Sequence, residues 1–390
     1  MSDHAILAAS ASHRWLSCPP SALLEREFPE ETSSYASEGT LAHKIAELKL
    51  NRSLLKKVKA GPYKKKLEFF QADPLYSTDM EAYLENYTSV ISERFMNAVN
   101  ACPDSLILLE QKLDFSKWVP FGFGTGDVVI ISDDTLEVID LKYGKGVPVS
   151  ATENPQTRLY GLGAIASFNM LYDFSKVRMT IVQPRLDSLS TEEMTVEELL
   201  TWADEYVEPR AAQAFAGKGE FCAGEHCRFC RARQTCRARA ENNLELAKYD
   251  FQQPPLLSDD EISDILTRAD ELQKWAADVQ AYALDQAENH GKKWPGWKLV
   301  EGRSNRKYTD EDAVARVLVA ADYPEDKIYA PRELFGITAM EKSIGRKPFN
   351  ELLSELVIKP AGKPTLVPES DKRPEIQSIA SAVEDFSVLN

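Results

Sequence analysis

The chain has 390 residues, 43% of them hydrophobic and 27% charged, with a net charge of −15. That length permits two or three domains and a sizeable core, and the acidic balance excludes a generic nucleic-acid-coating protein. No run approaches the roughly 18 apolar residues of a membrane span, and the opening "MSDHAILAASASHRWLSC" lacks the basic-then-apolar order of a secretory signal. The expectation is a protein of the reducing cytoplasm with no membrane partner, in which clustered cysteines read as metal or cluster ligands rather than disulfides.

In chain order, Cys18 lies in "WLSCPPSALLE", and "EGTLAH" opens the amphipathic helix "LAHKIAELKL", which carries His43. Residues 52 to 66 hold Arg52, Lys56, Lys57, Lys59, Lys64, Lys65 and Lys66 with no acid among them. Such a run is either a solvated face or a local phosphate-binding patch. "STDMEAYLENYTSVISERFMNAV" (77–99) has helical periodicity. "SLILLEQKLDF" (105–115), "GTGDVVIIS" (124–132) and "TLEVIDLKYG" (135–144) read as consecutive strands, the last two a hairpin turning at Asp133 and Asp134. Asn154 and Pro155 open a helix through 170, "KVRMTIVQPR" (176–185) is a fourth strand, and Thr195 with Glu198 caps a helix running to about Phe215. The order helix, three strands, helix, strand is that of an α/β sandwich with a mixed sheet.

"CRFCRARQTC" (227–236) places Cys227, Cys230 and Cys236 at spacings of two and five intervening residues. A tetrahedral site or a cubane cluster wants a fourth ligand. The local candidates are Cys222 and His226, which would give a structural zinc site; the distant ones are Cys18 and Cys102. Beyond the cysteines, Ser258 and Glu261 cap a helix to about 290, with Ile262, Ile265, Ala269, Leu272, Trp275, Val279 and Tyr282 along one face. Residues 291 to 357 read as a small α+β appendage. From Lys359 the chain is rich in proline and charge, and its acidic-apolar end "VEDFSVLN" suits docking on a single-stranded-DNA-binding protein or a polymerase.

On the third strand Asp140 and Lys142 share a face, costly if buried unpaired. Asp127 opens the partner strand, and two carboxylates brought together call for a cation, with Mg²⁺ or Mn²⁺ suiting hard oxygen ligands beside a phosphate. Gln156 and Tyr160 lie one turn apart on the following helix.

Asp127, then Asp140-Leu141-Lys142, then Gln156 and Tyr160, resembles the PD-(D/E)XK nucleases, specifically their RecB-like branch. His43 matches that branch's upstream helical histidine, and Glu110 in "LLEQKL" is a weaker match to an acidic position on the first strand. Cys18, followed by Pro, with Cys227, Cys230 and Cys236, is similar to the members that hold a [4Fe–4S] cluster, such as AddB-type recombination nucleases and CRISPR-associated exonucleases. The resemblance covers residues 8 to 240, and the whole chain resembles an uncharacterised phage or prophage family of RecB-like proteins. It implies a restriction-endonuclease-like sandwich over 1–245, with the mostly helical α+β extension at 256–358 and the irregular tail at 359–390. It implies a Mg²⁺- or Mn²⁺-dependent exonuclease acting on DNA ends or single strands in a bacterial host cell. His43, Asp127, Asp140 and the Leu141 main-chain carbonyl would bind the metal, joined by Glu110. Lys142, Gln156 and Tyr160 would complete the catalytic set, and Cys18 would be the fourth cluster ligand. The alternative from another class is a catalytically decayed nucleic-acid-binding scaffold with a structural cluster or zinc.

Overall fold

The computed structural model describes residues 5–29, 34–144, 146–246 and 257–298, and within 312–356 residues 312, 316, 319–320, 337–353 and 356. The elements of the first unit, Met1–Asn289, begin with α1 (Ser12–Ser17), α2 (Ser21–Leu24), α3 (Ser34–Ser53), α4 (Ala60–Gln71) and α5 (Thr78–Ala101). Strands β1 (Leu106–Asp114), β2 (Phe123–Ser132) and β3 (Thr135–Leu141) follow, then α6 (Pro155–Phe168), β4 (Lys176–Gln183) and β5 (Ser188–Thr195). Helices α7 (Val196–Trp202), α8 (Glu208–Phe215), α9 (Arg237–Leu244) and α10 (Asp259–His290) complete it.

The five strands form one mixed sheet in the order β1-β2-β3-β4-β5, antiparallel except for the parallel β3–β4 pair that α6 connects. This is the expected α/β architecture, a sheet flanked by helices. Val129, Ile131, Leu136 and Val138 face α6 and the N-terminal turn, packing with Leu159, Leu162, Trp15 and Leu16. Val128, Ile130, Ile139 and Leu141 face the other way onto α3 and α5, against Ala42, Ile45, Leu84 and Ile91. A strand that buries both faces needs this nearly continuous run of branched apolar residues.

Local chemistry sets the boundaries. The Asn154 side chain accepts hydrogen bonds from the Gln156 and Thr157 N–H groups, with Pro155 in the first turn of α6. Thr195 and Glu198 form a reciprocal capping box at the start of α7. Between α7 and α8 the helix widens to a π turn over Ala203–Val207. Pro209 explains it, since proline offers no N–H and crowds the preceding turn. Gly163 lets α6 lie directly on β1: a Cβ there would stand 3.1 Å from the Leu113 carbonyl carbon.

Helix α10 spans the predicted 258–290 segment, but no residue of the helix is buried: its apolar stripe is half-buried from Ile265 to Tyr282 and exposed at Ile262. It is tied to α9 instead by Arg239, 1% exposed, whose guanidinium reaches Glu271 (Nε–Oε1 2.8 Å) and Asp278 (2.6 Å). In the second unit, His290–Asn390, α11 (Ile337–Ile344) and α12 (Arg346–Leu353) meet at Gly345, whose φ of +90° suits glycine at a sharp helix end. The segment around 247–256, the greater part of the appendage and the tail from 359 lie outside the described residues.

Candidate functional site

Strands β1 and β2 keep one register throughout: Leu109 pairs with Val128 and Gln111 with Gly126, so Glu110 stands opposite Asp127. The alternation of faces nevertheless slips at that pair. Before it on β1, Leu108 packs on the α6 side; after it, Leu113 does. On β2, Val129 and Ile131 face that side, whereas a Cβ on Gly126 or Gly124 would meet Leu113 or Tyr160 there. Glu110 takes a φ of +48°, a left-handed conformation that costs a non-glycine residue of order 1 kcal/mol or more. Both strands thus change phase together, and the two acidic side chains sit at the change.

Around that break the predicted residues converge. His43 Nδ1 on α3 lies 3.0 Å from Asp127 Oδ1, and ligand atoms of His43, Glu110 and Asp127 all fall within 4.8 Å of one another. The Leu141 N–H donates to Asp127 Oδ2 at 2.7 Å, so the contact made here is through its amide. Asp140 stands on the α6 face. Lys142 Nζ is 2.9 Å from its Oδ2 and donates to Gln156 Oε1 at 2.8 Å, while Gln156 Nε2 donates to Asp140 Oδ1 (3.1 Å) and to the Tyr160 hydroxyl (3.3 Å). Asp140 Oδ2 is enclosed and, despite the ion pair, accepts no hydrogen bond of good geometry from the described residues. An enclosed anionic oxygen short of donors, beside a nitrogen and two carboxylates, suits a hard divalent cation. The weaker sequence match, Glu110, therefore joins the three-ligand group, while Asp140 is held by Lys142 and Gln156.

The electrostatics follow from crowding carboxylates. Desolvation, then the Asp127 charge, pushes the Glu110 carboxyl up to about 7, with His43 opposing. Burial also raises Asp140, countered by Lys142 and reinforced by Asp127. Burial works against protonation of His43, but its bond to Asp127 and the charges of Asp127, Asp140 and Glu110 outweigh it and raise its pKa. Tyr87, buried on α5, is raised by desolvation and then by the same three carboxylates. Nothing in the helical periodicity of α5 distinguishes Tyr87 from an ordinary core residue.

A second constellation lies where the chain's start meets the segment after α8. Cys18, Cys227, Cys230 and Cys236 line one cavity, together with Cys222, His226, Ser21, Arg14, Arg233 and Arg239. Cys18, Cys227 and Cys230 are buried and Cys222 is exposed. Burial raises the Cys227 thiol and pushes Cys230 up to about 11. Glu25 fastens the two segments together, accepting from Arg14 Nε at 3.1 Å and from the Arg231 N–H at 2.9 Å. Arg210 adds a bond to the Leu16 carbonyl at 2.9 Å. His226 Nε2 is 2.8 Å from the Cys222 carbonyl oxygen. Of the four alternatives for a fourth thiol or imidazole, Cys18, Cys222 and His226 all reach this cavity, and Cys102 is not among its lining residues.

Residues 4–374 match a family described as "Protein of unknown function (DUF2800)". The chain belongs to this family. Among solved structures it is similar to one titled "Crystal structure of SSO0001", at 13% identity over 58% of this chain and 96% of that chain, with a TM-score of 0.21. A score that low carries no argument about fold or activity. No described helix of this family member is long and apolar enough to cross a membrane.

Proposed function

We propose that the protein is a metal-dependent DNA nuclease of the PD-(D/E)XK type, RecB-like branch, carrying a structural [4Fe–4S] cluster. The observation that carries the reading is the meeting of His43, Glu110 and Asp127 beside the Asp140–Lys142–Gln156 chain, contributed by two helices and three strands. Held by His43, Asp127, Asp140, Glu110 and the Leu141 carbonyl, Mg²⁺ or Mn²⁺ would supply the acidity that makes a water nucleophilic at neutral pH. Lys142 would orient that water and offset charge growing on the phosphate oxygens. Gln156 bridges Lys142 and Asp140 and so fixes the ammonium, and Tyr160 anchors Gln156 from one turn further along α6. Gly124 gives Tyr160 its place, since a Cβ there would stand 2.6 Å from the ring.

The proposed substrate is a DNA end or single strand, led in by exposed lysines on α4. Lys64, Lys65 and Lys66 point to solvent and Phe69, 75% exposed, stands beside them, while Leu67 and Phe70 hold the helix to the core. Amines for phosphates and a ring for stacking suit single strands. The proposed setting is phage or prophage DNA replication or recombination in a bacterial cytoplasm. The four buried or half-buried thiols around one cavity fit a four-thiolate cluster, which would clasp Cys18 to Cys227, Cys230 and Cys236 across some two hundred residues.

The test is degradation of end-labelled single- and double-stranded DNA, with a labelled RNA arm, in Mg²⁺ or Mn²⁺ beside an EDTA control. Metal-dependent shortening of a DNA substrate is expected. Absence of metal-dependent cleavage of either DNA by iron-loaded protein would overturn the proposal.

A further inference from the structure

The cysteine cavity contains a donor that the four thiols do not explain. Ser21, the first residue of α2, is 3% exposed, and its Oγ is enclosed with no hydrogen-bond partner among the described residues. The Ser21 N–H is committed to the Cys18 carbonyl at 2.9 Å, which fixes the serine one turn after the cysteine. Ser21 lines the same cavity as Cys18, Cys227, Cys230 and Cys236. A buried hydroxyl left without an acceptor costs about 1–3 kcal/mol. Protonated thiols are weak acceptors, whereas thiolates and inorganic sulfides are charged and accept readily.

The charge of the walls points the same way. Arg14, Arg233 and Arg239 line the cavity, and among the described residues no carboxylate does. Each guanidinium is held from outside, Arg14 by Glu25 and the other two by Asp278, so their charge is fixed beside the cavity without a counter-ion inside it. Fixed positive charge and an unused O–H complement an anionic, sulfur-rich occupant.

We infer that the Ser21 hydroxyl donates a hydrogen bond to a sulfur of the cluster held by Cys18, Cys227, Cys230 and Cys236, and so raises its reduction potential. The inference rests on the iron–sulfur reading above. The reduced form carries one more negative charge on iron and sulfur than the oxidised form, so a donor to sulfur stabilises it more.

The experiment uses full-length protein purified anaerobically as wild type, Ser21→Ala and Ser21→Thr. Iron and sulfide are assayed, and the midpoint is read by dithionite titration with the spin signal of the reduced state as readout. Ser21→Ala should keep its iron and titrate at a more negative midpoint than wild type; Ser21→Thr, which keeps the hydroxyl, should stay near wild type. Iron lost from Ser21→Ala but retained in Ser21→Thr also supports the inference, because the hydroxyl is what separates them. An unmoved midpoint in iron-loaded Ser21→Ala overturns it, as does an equal shift, or equal loss of iron, in both variants. Iron-free wild type would overturn the cluster reading itself, whereas an iron-loaded wild type with an unmoved midpoint in Ser21→Ala refutes the role of Ser21 alone.

Discussion

Lys142→Ala removes an ammonium that lies 2.9 Å from a carboxylate whose side chain is only 6% exposed. Asp140 then keeps one neutral donor, Gln156 Nε2 at 3.1 Å. Breaking a buried ion pair from one side costs about 3–5 kcal/mol. Lys142 itself is 27% exposed, so water enters behind it and the lower end applies, about 3 kcal/mol. The sign of the pH dependence follows from burial, which already raises Asp140 while Lys142 opposes that rise. A carboxyl whose folded pKa lies above its unfolded value of about 3.9 destabilises the fold only when ionised. The cost is absent below about pH 4, grows as pH rises towards the folded pKa, and is constant above it. The variant's pKa is higher than that of wild type, so the stability difference should be small near pH 4 and full at neutrality. Urea unfolding in EDTA at several pH values reads this, and Asp140→Asn added to Lys142→Ala should restore much of the loss at pH 7. A pH-independent loss, or none, would refute the reasoning. Cleavage by Lys142→Ala should fall to background, because among the described residues no other amine contacts Asp140 or Gln156 in its place.

Cys18→Ala should bleach the protein and lower its stability by about 5 kcal/mol, the cost of freeing a loop of roughly two hundred residues, while Cys222→Ala keeps colour and fold; a local zinc site would be colourless and respond the opposite way, as visible absorbance and metal analysis would report. Replacing Lys64, Lys65 and Lys66 together with Glu should weaken single-stranded DNA binding and flatten its logarithmic salt dependence by about 2, read by fluorescence anisotropy between 50 and 200 mM salt. Arg239→Ala should cost roughly 2 kcal/mol by leaving Glu271 without this cation and Asp278 with Arg233 alone, and Arg239→Met, which fills the same space, should cost less in denaturant unfolding.

The sequence reading succeeds where apolar periodicity and capping chemistry agree. Strands β1 to β4 and helices α5, α6 and α10 fall within a few residues of expectation, because Val, Ile and Leu runs end at Asn154–Pro155, Ser77 or Asp133. Strand β5 goes unseen because "SLSTEEMT" buries no residue fully; as the edge of the sheet it is written in polar residues. Helix α4 is hidden in the same way by its lysines. Within the site, residue types and spacing locate Asp127, Asp140, Lys142 and Gln156, but the hierarchy between Glu110 and Asp140 is not legible. It depends on the shared phase change of β1 and β2, and on β1 that change falls at Glu110 in a run with no glycine or proline to announce it. Ser21 and Tyr87 carry no signal either, since their significance is only their neighbours.

The clasp between Cys18 and the 227–236 segment also has a timetable. Some two hundred residues separate the first thiol from the last. At about 5–20 residues per second of synthesis, Cys18 leaves the ribosome roughly 10–40 s before its partners. During that interval the sheet has already emerged, and its Trp15–Leu16 packing is available, but the closing contacts of Glu25, Arg231 and Cys230 are not. Each nascent copy therefore carries Cys18 without its neighbours until residue 236 has emerged, and on the iron–sulfur reading proposed above no four-thiolate site is complete before then.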